Sequence, residues 1–480
     1  MTRRHLPLAA LTALLAAAVL AQPQARARTD AQPSREQPVE RILRRLPPQA
    51  FQVSDISIDH AGNLVVAGVT YSSDFPRSPD AVQGRCGEEG DAFVMVVSTA
   101  GDLLYSTCLG TMTADMYPRV APAPDGSIWV AMNSCFYFST GIGNCTYHGF
   151  YTTVLRIVPG LPLPTDRIWV AGGYADLETA DVASAADGSV WVAGTTSTPN
   201  LPTVNAWQPT LAGGADIFLA HYATSVPMPL LETYLGGSGA DIAQHVVVAP
   251  DGDAIVTGVT GSSDFPTVRP LQRSSGGGYD SVVARIDSTG RWLEYSTYLG
   301  GSAPDWHCDV AVDDAGNVYA LGQAPAADFP PSTLRRSGAS ARDVYFVSLD
   351  GTGRLRSATL LETGLETMED PNVGAGPANV VVRGATSVVV VGQYYTGEVF
   401  EGGGFVAVAD QSGIAMREPF LMRGPNLTAE FVLMAAADRQ NVYVVATPRV
   451  YPPQPYYVKA VHVPTRQPLG SPPAGGHDRR

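Results

Sequence analysis

Apolar residues along this chain come in short β-branched runs of about the length of a strand, each broken by a turn that carries Gly, Asp or Asn. His245-Val246-Val247-Val248 and Asp253-Ala254-Ile255-Val256-Thr257-Gly258 flank Pro250-Asp251-Gly252. Asp-Gly and Gly-Asn pairs accept the positive backbone angles of a tight hairpin, so the two runs read as antiparallel strands. Within 241–301 the same logic predicts four strands, at 243–249, 253–260, 280–287 and 291–299, with further turns through Asp264-Phe265-Pro266 and at Ser288-Thr289-Gly290.

The unit repeats. Thr-Tyr-Leu-Gly-Gly-Ser at 233–238 returns at 297–302, and Asp-Phe-Pro at 264–266 returns at 328–330, a step of 64 residues in each case. Looser copies stand at Asp74-Phe75-Pro76, Asn200-Leu201-Pro202 and Tyr105-Ser106-Thr107-Cys108-Leu109-Gly110. Turn corners recur at Gly62, Gly126, Gly188, Gly252, Gly316, Arg383-Gly384 and Asp438–Asn441, which counts seven copies. A single such unit cannot bury its own apolar face, so copies must stack. Seven units of four short antiparallel strands, with no polar caps at the ends, predict an all-β fold: a seven-bladed β-propeller closed into a ring. The last copy has strands at 441–447 and 456–463 and a weak or missing fourth. The spare segment Gln49–Ser54 is therefore expected to complete the seventh blade as a clasp. Val65, Trp129, Trp191, Ile255, Tyr319 and Tyr443 hold one repeated position after the corner and are expected where neighbouring blades pack.

The run Tyr-Ser-Thr-Tyr-Leu-Gly-Gly-Ser, Asp, an apolar strand, Asp-x-x-Gly-Asn, Val-Tyr, Gly and Ser-x-Asp-Phe-Pro resembles the bacterial SBBP-type β-propeller repeat, closely over 233–330 and visibly from 55 to 361. That resemblance implies an exported propeller and brings no catalytic residues with it. Asp125-Gly126-Ser127-Ile128-Trp129-Val130 and Asp187-Gly188-Ser189-Val190-Trp191-Val192 are also similar to turns of streptogramin lyase-type propellers, over one hairpin only.

Residues 1–21 open with Arg3-Arg4, run apolar from Leu6 to Leu20 and end at Val19-Leu20-Ala21, the pattern of an export signal and too short for a comfortable membrane span. The mature chain is expected in the periplasm or medium, without a transmembrane segment and as a monomer. Residues 22–46 read as a flexible linker, 47–470 as the propeller and 471–480 as a frayed tail. With 45 acidic against 31 basic side chains, a formal charge of −14, the chain repels phosphate backbones, which argues against nucleic acid. Lys459 is the only lysine, which removes lysine-based covalent and phosphate-loop chemistry from consideration.

Five cysteines in an exported chain point to disulfides. Cys135 and Cys145 flank an insertion peculiar to the second copy, and Cys86 lies within reach of Cys108, which a hairpin about Ala100-Gly101 sets opposite residue 93. Cys308 is left over.

Counting seven residues back from each corner gives Asp55, Arg119, Asp181, His245 and Asp309, with Asn379 in the sixth copy. On an innermost strand these six ring a channel mouth, where acidic and amide oxygens have the chemistry to hold a hard cation such as Ca²⁺ or simply line a watery pore. Asp91, Asp216, Asp280 and Asp343 before the third strand, and Asp74, Asp264 and Asp328 in the Asp-Phe-Pro loops, read as turn-capping carboxylates. No zinc spacing and no Gly-x-Ser-x-Gly elbow occurs. The aromatic insertion, with Phe136, Tyr137, Phe138, Tyr147 and His148, is a candidate contact for sugars or protein. Two functions follow: a non-catalytic scaffold that binds a protein or carbohydrate without a cofactor, or a propeller lyase or hydrolase with a cation and His245 or His307 at the channel mouth.

Overall fold

The protein was examined as a computed structural model. It describes residues 51–87, 90–110, 115–135, 150–170, 177–224, 228–305, 308–324 and 343–361, and the strands within 377–383, 387–395, 402–410, 413–414, 430–437, 442–448 and 457–461. All the described elements are strands. They form six four-stranded antiparallel sheets and one of three strands, each built from consecutive strands, as in the blades of a β-propeller.

The fourth sheet shows how the sequence builds a unit. Its strands Asp241–Val248, Ala254–Thr260, Asp280–Ile286 and Leu293–Leu299 follow the apolar runs to within two residues. The corner closes through Gly252 at φ 92°, with its N–H donating to the Ala249 carbonyl at 2.9 Å. The second strand, AIVTGVT, is buried along its whole length because both faces meet a neighbouring sheet.

The leading strand of this sheet slips register between Ala243 and His245. The same irregularity falls between Val53 and Asp55, Met116 and Arg119, Thr179 and Asp181, Pro377 and Asn379, and Val432 and Met434. A bulge pushes backbone toward the partner strand, and only glycine tolerates the approach. A Cβ on Gly258 would stand 2.2 Å from the Ile242 carbonyl oxygen, and one on Gly68 2.0 Å from that of Gln52.

Six hydrophobic clusters lie between the sheets, and the repeated position after the corner sits in five of them. Val65 packs with the second sheet, Trp129 with the third, Trp191 with the fourth, Ile255 with the fifth and Tyr319 with the sixth. Trp129 and Trp191 also donate their indole N–H groups to the next corner, at the Gly188 and Gly252 carbonyls, 2.9 and 3.3 Å away. Burying each such side chain contributes about 1.5–3 kcal/mol. These residues are packing elements, as the repeat implied.

The expected clasp is corrected. Phe51–Ile58 is one strand, and its Phe51, Gln52 and Val53 pair with Thr70, Val69 and Gly68 of the first sheet rather than with the last. The last sheet has Glu430–Ala437, Val442–Pro448 and Tyr457–Val461 among the described residues. Ala436 of that sheet joins Phe51, Val53 and Ile56 in one cluster, so the first and last sheets are in contact.

Cys86 and Cys108 form a disulfide with their Cα atoms 5.6 Å apart, and Cys108 pairs with Phe93 as the hairpin required. The signal, linker and tail, Cys145 and His307, and the aromatic loop Phe136, Tyr137, Phe138, Tyr147 and His148 lie outside the described residues. So does the expected Cys135–Cys145 bridge.

The disulfide spans 22 residues and crosses the core of the first sheet. Replacing Cys86 and Cys108 by Ser should lower unfolding free energy by about 3 kcal/mol, read by denaturant melts with and without reductant. Equal stability of the variant and the oxidised wild type would contradict this.

Candidate functional site in the central cavity

A cavity of about 350 Å³ is bounded by leading-strand residues from the first sheet (Asp55) through the last (Ala435). Asp55, Asp181 and Asp309 border it, while Arg119 and His245 are not among its lining residues. Asn379 and Met434 hold the equivalent register positions in the sixth and seventh sheets.

The three carboxylates share one job. Asp55 Oδ2 accepts the Val120 N–H at 2.8 Å, Asp181 Oδ2 the Val246 N–H at 3.1 Å, and Asp309 Oδ2 the Val380 N–H at 2.6 Å. Each donor lies in the next sheet around. The second oxygens of Asp181 and Asp309 take the amides of Val182 and Val310, both at 2.8 Å. Acids stand in the first, third and fifth sheets, and Arg119, His245 and Asn379 in the second, fourth and sixth.

Arg119 reaches back, donating from Nη1 to the Ser54 carbonyl at 3.0 Å, while Ser54 Oγ donates to the Pro118 carbonyl at 2.6 Å. Arg119 Nε is buried without a hydrogen-bond partner. His245 Nδ1 lies 3.5 Å from Asp181 Oδ2 and 3.7 Å from Asp309 Oδ1, so one imidazole bridges acids from the sheets on either side.

Burial opposes charge on His245, but Asp309 and Asp181 outweigh both burial and the repulsion of Arg119, and the imidazole pKa is raised. Burial is also the largest influence on Asp55; with the charge of Asp181 it overcomes Arg119 and the backbone N–H bonds and lifts the carboxyl to about 7. The cluster thus contains a carboxyl that titrates near neutrality and an imidazole that favours its charged form. A protonated imidazole between carboxylates is a poor general base. Among the described residues no group of three or more His, Cys, Asp and Glu is arranged to hold a metal ion, and the amide donors already occupy carboxylate oxygens that a cation would need.

Sequence reasoning missed Tyr117. In the second leading strand Tyr117 and Pro118 together stand opposite Met132, between the register pairs Met116–Asn133 and Arg119–Ala131. Tyr117 adopts φ 51° with its side chain 59% exposed, a strained conformation for an aromatic residue next to Arg119.

No protein-family model matches the chain, and no curated protein sequence matches it. Solved structures similar to it include hydrazine synthase of Kuenenia stuttgartiensis, at 12% identity over 86% of this chain and 96% of that one, with a TM-score of 0.46. The β-propeller domain of the Trilobed protease from Pyrococcus furiosus, described as having an open velcro topology, is 8% identical over 87% of this chain and 96% of that one, TM-score 0.46. A polysaccharide lyase, the PL25 ulvan lyase bound to -[GlcA(1-4)Rha3S]-, is 8% identical over 86% and 94%, TM-score 0.47. The likeness is one of β-propeller fold.

A carboxyl raised by folding favours the folded state below its unfolded pKa and loses that advantage as pH climbs toward the folded value, here about 7. His245, raised as well, stabilises below about pH 6.5 and loses its contribution above its folded pKa. Both slopes have the same sign. Asp55→Asn keeps an acceptor for the Val120 N–H and should flatten the fall in melting temperature between about pH 4 and pH 7. An unchanged pH profile would show that Asp55 titrates normally.

Proposed function

We propose that this protein is an exported, SBBP-like propeller of seven blades closed into a ring, acting as a non-catalytic scaffold that binds a protein or a glycan. One observation carries the scaffold reading: Asp55, Asp181 and Asp309 direct their oxygens into amides of the next sheet, so the acids of the cavity are committed to joining blades. A hydrolase or lyase needs an acid or base aimed at a reacting atom, and residues engaged in this way are poorly placed to move a proton. Closure is supported by the shared cluster of the first and last sheets and by a cavity bordered from Asp55 to Ala435. A closed ring leaves loops on a rigid frame, the usual arrangement for recognition.

The second reading, a lyase or hydrolase at the channel mouth, is favoured by the position of His245 between two carboxylates. The two readings part in one experiment. The mature protein is titrated calorimetrically against a panel of acidic and neutral envelope polysaccharides, and each mixture is then assayed for new reducing ends or unsaturated products. Saturable binding without product is expected, with His245→Ala changing stability rather than yield. Product formation that His245→Ala abolishes would replace the scaffold with the enzyme.

A further inference from the structure

Away from the cavity, two pairs of aspartates repeat with the 64-residue step: Asp216 with Asp241, and Asp280 with Asp305. The first of each pair opens a third strand, and the second follows the Leu-Gly-Gly-Ser turn that leads into the next sheet. All four side chains are fully buried.

The members of each pair face one another across a glycine. A Cβ on Gly236 would stand 2.6 Å from Asp216 Oδ1 and 2.7 Å from Asp241 Oδ2; one on Gly300 would stand 2.2 Å from Asp280 Oδ1 and 2.5 Å from Asp305 Oδ2. The facing atoms are thus Asp216 Oδ1 with Asp241 Oδ2 and Asp280 Oδ1 with Asp305 Oδ2. A bond between two carboxyl groups requires a proton on one of them.

The surrounding donors say which one. Asp241 accepts the Gly237 N–H at 2.7 Å and the hydroxyls of Thr260 and Ser262, so both its oxygens are occupied as acceptors. Asp305 Oδ2 accepts the Gly301 N–H at 2.7 Å. In the first member only Oδ2 is so engaged, by Gln208 Nε2 and Ala212 N at 2.8 and 2.9 Å in Asp216 and by Gly276 N at 2.7 Å in Asp280. Asp216 Oδ1 and Asp280 Oδ1 are buried with no donor directed at them; none is directed at Asp305 Oδ1 either, but Asp305 Oδ2, which faces Asp280 across the glycine, already accepts from Gly301.

We propose that Asp216 and Asp280 are carboxylic acids at neutral pH. Each donates its Oδ1 proton to the facing carboxylate, Asp241 or Asp305, making two proton-held clasps between successive sheets that loosen when the proton is withdrawn. The shell of amide and hydroxyl hydrogens suits a shared proton and would repel a metal ion, which needs oxygen lone pairs. The titratable groups that face the pairs add no positive charge: Tyr234 faces Asp216, and Tyr298 faces Asp241, Asp264 and Asp280. Burial, the dominant influence, raises Asp216, Asp241 and Asp280 alike, with Asp216 adding to the effect on Asp241.

A raised carboxyl stabilises the fold below its unfolded pKa and withdraws that stability as pH rises, so the clasps make the protein sensitive to alkali. Asparagine at the first position supplies an N–H where the acid supplies its proton. The mature Asp216→Asn/Asp280→Asn protein should therefore keep its fold and lose about half of the wild-type fall in melting temperature between about pH 6 and pH 9. Asp241→Asn, which sets an amide against donors, should instead melt lower at every pH. Infrared spectra of the wild type at about pH 8 should show the carbonyl band of a buried carboxylic acid, weakened in the double variant. A wild type without that band overturns the proposal even if the variants do not fold. A double variant with the wild-type pH profile also overturns it, as does a rise in melting temperature with Ca²⁺ that Asp280→Asn abolishes, which would assign the pairs to a metal.

Discussion

The first, third and fifth sheets are each tied to the next by a carboxylate that the leading strand presents. Asp55 and Asp181, each following a bulge, and Asp309, on a strand in continuous register, reach across the gap into the main chain of the following sheet, contacts spanning 65, 65 and 71 residues of sequence. A charge-assisted bond of this kind is worth about 1.5–3 kcal/mol, more than an average hydrogen bond. It also fixes register, since a strand slipped by one residue would turn its carboxylate to the wrong face. The close approach at Gly68 and Gly258 follows from the bulges opposite them.

Electrostatics in the cavity then sorts itself by position. Asp55, Asp181 and Asp309 stand in odd sheets and Arg119 and His245 in even ones, and His245 leans on acids at both sides. Outside the cavity donors satisfy the acids instead: buried Asp91 accepts the Gly87 N–H at 2.6 Å, and exposed Asp264 takes the Ser238 N–H and hydroxyl, each at 2.8 Å. Asp313, in a turn that superficially resembles a calcium loop, accepts from Ala315, Asn317 and Tyr319 and is a turn-forming residue.

Much of this was legible in the sequence. Turn glycines gave the hairpins, the 64-residue step gave the repeating sheets, and seven residues back from each corner lie the residues that border the cavity or hold its register positions. The Cys86–Cys108 bridge followed from hairpin register alone. What failed did so for a local reason. The bulge at Ser54 reverses the in-out alternation within Phe51–Ile58, so one strand read as two pieces and the first piece was assigned to the wrong sheet. Bulges leave no mark in a hydrophobic pattern beyond that reversal, and nothing in residue type reveals that Asp181 is aimed at an amide of Val246. Tyr117 sits inside such a bulge, and its positive φ leaves no mark in residue type.

The forward reach of each unit also has a kinetic meaning. Trp129 and Trp191 donate to corners 59 and 61 residues downstream, and the carboxylate ties run the same way, so every junction awaits only the unit that follows it. Loop-closure entropy grows slowly with span, and here no junction demands more than one repeat's worth of chain. A polypeptide delivered N-terminus first can therefore lay down its sheets in order, each new one docking on a finished neighbour. Only the contact of Ala436 with Phe51 and Val53 must wait for the last sheet. A chain halted before that point carries an uncovered first sheet, and its fate turns on how soon synthesis resumes.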